Sequence, residues 1–226
     1  MAKRLTDLTF DQWLTLVFDH PVPVDQAKAW YWEFDREVWE EDSAATVDFL
    51  TRAFENAAQV FQPYTDAQLN QGLWFLVSNS CSSHMFSLMN ESVPWTARQR
   101  CIAAIHQLYE QCFLPRCSAH LSHLPEPVEN PLNMVCYMWW DLIPISGRPD
   151  DPGRRDLDQA ILQVLESTLY LDSIACREGA LHGLGHWQMD YPRQVGEIID
   201  RFSMTRPELP AALQQYMLRA YGGSVL

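Results

Sequence analysis

The sequence predicts an all-α chain of about ten helices with no β-sheet. Three observations carry that prediction. Apolar residues recur every three to four positions through most of the chain, which is the spacing of one helix face. Ser, Thr, Asp and Pro stand where those periodic stretches begin or stop, as helix caps and breakers do. No stretch alternates apolar and polar residues between hairpin turns, the signature of a half-buried strand.

Thr9 is placed to cap a first helix carrying Phe10, Trp13, Leu14 and Val17, which ends before Pro21. Asp25 is placed to cap a second, with Ala27, Trp30, Tyr31, Phe34 and Val38 on one face. Ser43 opens a third, whose Val47, Leu50, Ala53, Phe54, Ala57 and Phe61 keep helical spacing until Pro63 stops it. Thr65 or Asp66 opens a fourth through Leu69, Leu73 and Leu76 toward Met89. Pro94 suits the first turn of a fifth, with Ile102, Ile105, Leu108, Tyr109 and Cys112 as its apolar side. A Pro-rich exposed loop is expected near 115–131, followed by a sixth helix near 132–142. Residues 144–155, dense in Pro, Gly, Asp and Arg, read as another exposed loop. Asp156 starts a seventh helix with Leu157, Ile161, Val164, Leu165 and Thr168. An eighth covers about 173–188, and two shorter ones near 192–203 and 208–220 finish the chain. Such a set leaves a helical bundle or an array of helical hairpins.

The 226 residues are 47% hydrophobic and 20% charged, enough for one globular core or a short repeat array. No composition break divides them, so one domain is expected over 1–226. No apolar run reaches membrane-spanning length. Basic residues near the start are followed by no apolar stretch of the secretory kind. A cytoplasmic location is therefore the expectation, with the six cysteines reduced rather than joined as three disulfides. The net charge of -13 disfavours nucleic acid, whose phosphates call for Lys and Arg. Residues 1–60 hold twelve acidic side chains against five basic ones, a surface that aids solubility and could steer a basic protein partner.

The eighth helix reads Cys176-Arg177-Glu178-Gly179-Ala180-Leu181-His182-Gly183-Leu184-Gly185. This resembles the second helix of a HEAT-like repeat, with Asp172 five residues before Arg177 as the repeat's aspartate commonly stands. A weaker echo runs from Ala97 to Ile105, and its Arg98 lies 79 residues before Arg177, close to two repeats of about 40 residues. The resemblance implies an α-solenoid, in which neighbouring helix pairs bury each other's faces. It implies no chemistry. Ala175, Gly179 and Gly183 also recur at four-residue spacing. Each interior glycine costs about 0.5–1 kcal/mol relative to alanine, so a neighbouring helix is expected to approach closely there.

Three groups of residues carry possible function. Glu178, His182 and His186 share one stripe of the eighth helix. Two histidines at that spacing can bind one metal, but Gly183 follows His182, so the general base of the H-E-x-x-H motif is missing. Hydrogen-bonded histidines at a helix contact are the plainer reading. Cys112, Cys117, His120 and His123 are four possible zinc ligands within twelve residues, in an order too compact for a zinc finger. In the second helix, Trp32 and Trp39 fall on one stripe opposite the core side, with Arg36 between them and Asp35, Glu37 and Glu40 beside them. Trp and Arg are enriched at interface hot spots, although burial between two neighbouring helices would also explain that stripe.

No nucleophile elbow, phosphate loop or dinucleotide fingerprint is present. The expectation is a non-enzymatic protein-binding module with no cofactor. It would be an adaptor, or an inhibitor of a basic protein in the manner of immunity proteins, and would contact its partner through Trp32, Asp35, Arg36, Glu37, Trp39 and Glu40. The competing class is a helical metal-dependent enzyme built on Glu178, His182 and His186, or a helical protein stabilised by zinc at Cys112 to His123.

Overall fold

The computed structural model describes residues 3–22, 29–34, 37–39, 42–126, 130–206 and 208–225. Among them the chain is all-α in architecture, with eleven α-helices. They are α1 (Phe10–Phe18), α2 (Ser43–Glu55), α3 (Ala57–Val60), α4 (Asp66–Val77), α5 (Trp95–Leu108), α6 (Leu114–Arg116), α7 (Leu132–Leu142), α8 (Arg155–Leu169), α9 (Ile174–Trp187), α10 (Pro192–Thr205) and α11 (Ala211–Tyr221). One π-helical turn, Tyr109–Phe113, links α5 to α6.

Local chemistry explains the starts. Thr9 and Thr65 each form a capping box with the glutamine three residues on, Gln12 and Gln68, which satisfies two orphan amides at once. Ser173 caps α9 by accepting from the Cys176 amide. At α2 the cap is Asp42, not Ser43, and its Oδ1 accepts from the Ala45 amide at 2.8 Å. The third expected helix breaks at Asn56, whose side-chain amide turns back to the Arg52 carbonyl and competes with the helical ladder. The fourth stops at Val77, because Ser78, Asn79 and Ser80 bring turn chemistry, and the chain resumes as a 3-10 stretch at His84–Met89.

The second expected helix is not there. Its Asp25 and Ala27 lie outside the described residues. Trp30–Trp32 form a single 3-10 turn, and Glu37–Trp39 form a strand, β2. That strand pairs in parallel with β1 (Lys3–Leu5), Leu5 opposite Trp39. This three-residue ladder is the only departure from helix and loop among the described residues. Three consecutive aromatics lose side-chain freedom in a helix and fit an extended chain better. Here Trp30 also stacks on His20 at 4.0 Å and packs on Phe75.

The helices pack in two rows. In one, α1 touches α4, α4 touches α7, α7 touches α9 and α9 touches α11. In the other, α2 touches α5, α5 touches α8 and α8 touches α10, while α8 and α10 also lie on α9. Twelve of the fourteen residues of α9 are buried, leaving only Ile174 and His186 partly open. The close approach expected at its glycines is present. A Cβ on Gly179 would lie 2.5 Å from the Cys136 carbonyl oxygen, and one on Gly183 would lie 2.7 Å from Trp140 Cγ.

Of the two expected exposed loops, the first is partly packed over the helices and the second is mostly exposed. Between 115 and 131, Leu121 is buried and Ser122 and His123 are half-buried over α7 and α9. The reason is polar: the buried carboxylate of Glu178 needs donors, and this loop supplies them. Between 144 and 155, Ile145 and Gly147 are buried and 148–153 are exposed. The fully buried Asp158 accepts from the Arg148 amide and the Tyr191 hydroxyl, both at 2.7 Å, and holds this loop against α8.

Candidate metal centre

The histidines of α9 meet a carboxylate from α7 rather than Glu178. His182 and His186 sit one turn apart, and their Nε2 atoms are 3.1 Å from each other. Asp141, in the last turn of α7, places Oδ1 3.4 Å from His186 Nε2. One donor atom from each of the three residues lies within 4.8 Å of the others, the single such group of three or more candidate ligands among the described residues. Glu178 is consumed elsewhere. Its carboxylate accepts from the Ser122 and His123 amides and from His123 Nδ1, the last at 2.6 Å.

Further side chains orient the pair. His182 Nδ1 is 2.7 Å from the Tyr216 hydroxyl, which lies 3.0 Å from the Tyr137 hydroxyl and donates to the Val225 carbonyl at 3.5 Å. If His182 Nδ1–H donates to Tyr216, the lone pair on Nε2 faces His186 and Asp141. Burial holds the His182 pKa down at about 3, with the neighbouring His186 adding to the effect. The ring is therefore neutral near pH 7, the form that binds a metal. The Tyr216 hydroxyl is itself pushed upward, by burial first and then by its hydrogen bond with Tyr137, so it stays protonated and available.

The site opens to solvent on one side. Asp141 and His186 are part-exposed and line a cavity of about 450 Å³. Its other walls include Phe86, Trp140, Ile145 and Trp187, with Asn79 and Ser146 as polar groups. Gly147 lets the 144–155 loop close against α10's approach, since a Cβ there would lie 2.7 Å from Asp190 Cβ. Among the described residues, no Lys or Arg lines the cavity.

The other sequence-derived sites fare differently. Cys112 is buried on the apolar side, its thiol pushed up to about 12 by burial, and His123 is spent on Glu178. Cys112, Cys117, His120 and His123 therefore do not converge on a shared position. Trp32 and Trp39 do not share a stripe, because the helix that would align them is replaced by a 3-10 turn and a strand. Trp32 is 49% exposed and Phe34 85%. Trp39 turns inward and stacks on Phe49 at 5.3 Å beside Trp13 and His84. Glu37 is exposed, and Asp35, Arg36 and Glu40 lie outside the described residues.

Sequence reasoning passed over Asp141 and Tyr216. Asp141 did leave a signal. A carboxylate in the last helical turn opposes the helix dipole, and such local violations gather at functional sites. Tyr216 left none, since only the fold brings α11 beside α9. Comparison with protein-family models, curated proteins and solved structures finds no match for this chain.

Proposed function

We propose that this chain is a metal-dependent helical protein. Asp141, His182 and His186 would form a 2-His-1-carboxylate centre for one first-row divalent cation, and the adjoining cavity would bring a small molecule to the cation's open positions. The observation that carries the reading is the convergence of three donor atoms, His182 and His186 3.1 Å apart and His186 and Asp141 3.4 Å apart, with Asp141 and His186 on the wall of a cavity. Ligands bound at about 2.0–2.1 Å around one tetrahedral ion are separated by about 3.3 Å, so little movement is needed. A metal-bound histidine normally gives its second N–H to a neighbouring acceptor, and Tyr216 stands there for His182. Three protein ligands with open positions are the pattern of catalytic rather than structural sites. A cation there would polarise a bound carbonyl or activate water. The described lining, with Phe86, Trp140, Ile145 and Trp187 and no Lys or Arg among the described residues, favours a neutral ligand with apolar surface.

Titration of metal-stripped protein with cobalt(II) tests this, since cobalt reports its ligands by visible absorption. We expect one equivalent per chain, with affinity at least about 100-fold lower in Asp141→Asn and His186→Ala and about 10–100-fold lower in Tyr216→Phe. Binding that is unchanged in Asp141→Asn and His186→Ala, or no binding by the wild type, would overturn the reading.

A protein-binding role keeps one observation of its own, the exposure of Trp32 and Phe34 beside the exposed Glu33 and Glu37. The HEAT-like reading is supported by the two-row packing and by the Arg177–Asp172 ion pair at 3.1 Å. Neither conflicts with a metal centre, because a repeat scaffold fixes no chemistry.

A further inference from the structure

Three of the six cysteines, Cys117, Cys136 and Cys176, gather around Tyr109, whose hydroxyl donates to the Cys136 carbonyl and whose carbonyl accepts from the Cys176 thiol. Burial pushes the thiol of Cys136, in the middle of α7, well up, and the neighbouring Cys117 and Cys176 add to the rise. Two independent sets of contacts fix this arrangement. Cys117 ends α6, and the next residue, Ser118, is bound through its amide and carbonyl to the side chain of Asn133. Asn133 lies one turn before Cys136 on the same face of α7. On the other side, Cys136 Sγ points at the Ala175 carbonyl, 3.6 Å away, immediately before Cys176 in the first turn of α9. Of the three, Cys117 is half-buried and faces outward, lining a surface cavity of about 350 Å³ with Ala119, Ser173 and Arg177.

We propose that Cys117, Cys136 and Cys176 form a peroxide-responsive thiol site, in which Cys117 is the entry point and Cys136 resolves it as a disulfide. The electrons balance with one peroxide. The Cys117 thiolate attacks a peroxide oxygen, the O–O bond breaks, and water leaves behind a sulfenic acid. The Cys136 sulfur then attacks the Cys117 sulfur, the S–O bond breaks, and the departing hydroxide takes the Cys136 proton as a second water. Two thiols and one hydrogen peroxide become one disulfide and two waters. Arg177 lines the same cavity as Cys117, paired there with Asp172 at 3.1 Å. Cys176 has a different part. Its thiol donates to the Tyr109 carbonyl at 3.9 Å, and the neighbouring Cys136 draws it toward the thiolate, with Ser173 and Arg177 assisting. It can attack the Cys136 sulfur of the new disulfide, break the bond to Cys117 and return Cys117 as a thiol. The other three cysteines lack this arrangement. Cys101 and Cys112 are buried thiols pushed up to about 12, and Cys81 lies far along the chain in a separate aromatic cluster.

The test uses the full chain, treated with hydrogen peroxide, quenched with an alkylating agent and digested without reductant for mass spectrometry. We expect a peptide linking Cys136 to Cys117 or Cys176, two hydrogens lighter than its reduced parts and split by dithiothreitol. Cys117→Ser should abolish the link, and Cys81→Ser should leave it intact. Cys136→Ala should instead carry Cys117 on to sulfinic acid. Circular dichroism of Cys117→Ser checks that its loss of the link is not loss of the fold. The proposal fails if peroxide leaves all six thiols alkylatable, if the link forms equally in Cys117→Ser, or if wild-type Cys117 goes to sulfinic acid without any link.

Discussion

Helix α9 and the segment at 29–39 are both crowded with apolar and aromatic side chains, yet they fold in opposite ways. The helix carries small residues between its large ones, so neighbours on several sides reach its backbone, as Cys136 and Trp140 do at Gly179 and Gly183. The segment carries Trp30, Tyr31 and Trp32 in a row, with nothing small to admit a second element. It attaches by the short β1–β2 pairing and by single side chains instead: Trp30 on His20 and Phe75, Trp39 on Phe49, while Trp32 and Phe34 are left outside. Alternation of size, more than hydrophobicity, separates a central helix from an irregular flap. A helix enclosed on all sides also gives polar groups their fixed neighbours, which is why Glu178 and His182 can be buried there.

The comparison can be strained first by acid. The flap rests on His84, whose Nε2 accepts from Trp13 Nε1 at 3.2 Å and whose ring lies against Trp39 and Phe75. Burial lowers its pKa from 6.5 to about 4. Between those values the unfolded chain binds a proton that the folded chain does not, so this group's contribution to stability falls as the pH drops through that window. Above 6.5 and below 4 it is level. The loss is on the order of 3 kcal/mol across the window. Melting temperatures from pH 7 to pH 4 should fall more steeply in the wild type than in His84→Gln, which has no proton to gain. Equal slopes would show that His84 is not held neutral.

Gly183→Leu strains the other region. Its side chain would enter the space of Leu165 Cδ2 and Trp140, 2.5 and 2.7 Å from a simple Cβ. We expect a loss of about 1–3 kcal/mol by chemical denaturation. An unchanged midpoint would mean that α7 and α8 do not close on this face of α9.

How far these two regions were legible in the sequence follows from the range of the interactions that shape them. Caps and breaks are local, so Thr9, Thr65, Ser173 and the glycines of α9 were readable from their neighbours alone. The flap was misread because Trp30, Tyr31, Phe34 and Val38 match helical spacing. The contacts that hold Trp30 and Tyr31, with His20 and Phe75, lie at a distance along the chain. The site was half readable. His182 and His186 announced themselves by spacing, but the choice of Asp141 over Glu178 depended on the 115–131 loop folding over α9 to satisfy Glu178. No local pattern encodes that. Proline in the loop suggested exposure, whereas the demand of a buried carboxylate for donors pulled it inward.

Within the flap, Trp39→Ala should cost about 2 kcal/mol. The ring is half-buried in a group of Trp13, Phe49 and His84, and its removal leaves a gap that β1 and α2 cannot fill. A loss below about 0.5 kcal/mol would mean that the strand pairing, not the ring, anchors this segment.

Trp32→Ala is the gentlest change and separates surface from core within the same eight residues, 32–39. Trp32 meets Tyr31 edge-on at 5.6 Å and is otherwise half open to solvent. Its loss should cost under about 1 kcal/mol of stability, as surface substitutions do. The same truncation at an interface anchor costs about 2 kcal/mol or more of binding. A protein partner that uses Trp32 and Phe34 would therefore lose at least about 30-fold in affinity from a variant that folds almost normally. The measurement pairs the melting temperatures of Trp32→Ala and Trp39→Ala. If both fall alike, the two rings share one buried environment, and the inside–outside division of the flap is wrong. If only Trp39→Ala falls, Trp32 is free surface. The binding reading then rests on whether a basic protein retained by the wild type is released by Trp32→Ala at unchanged stability.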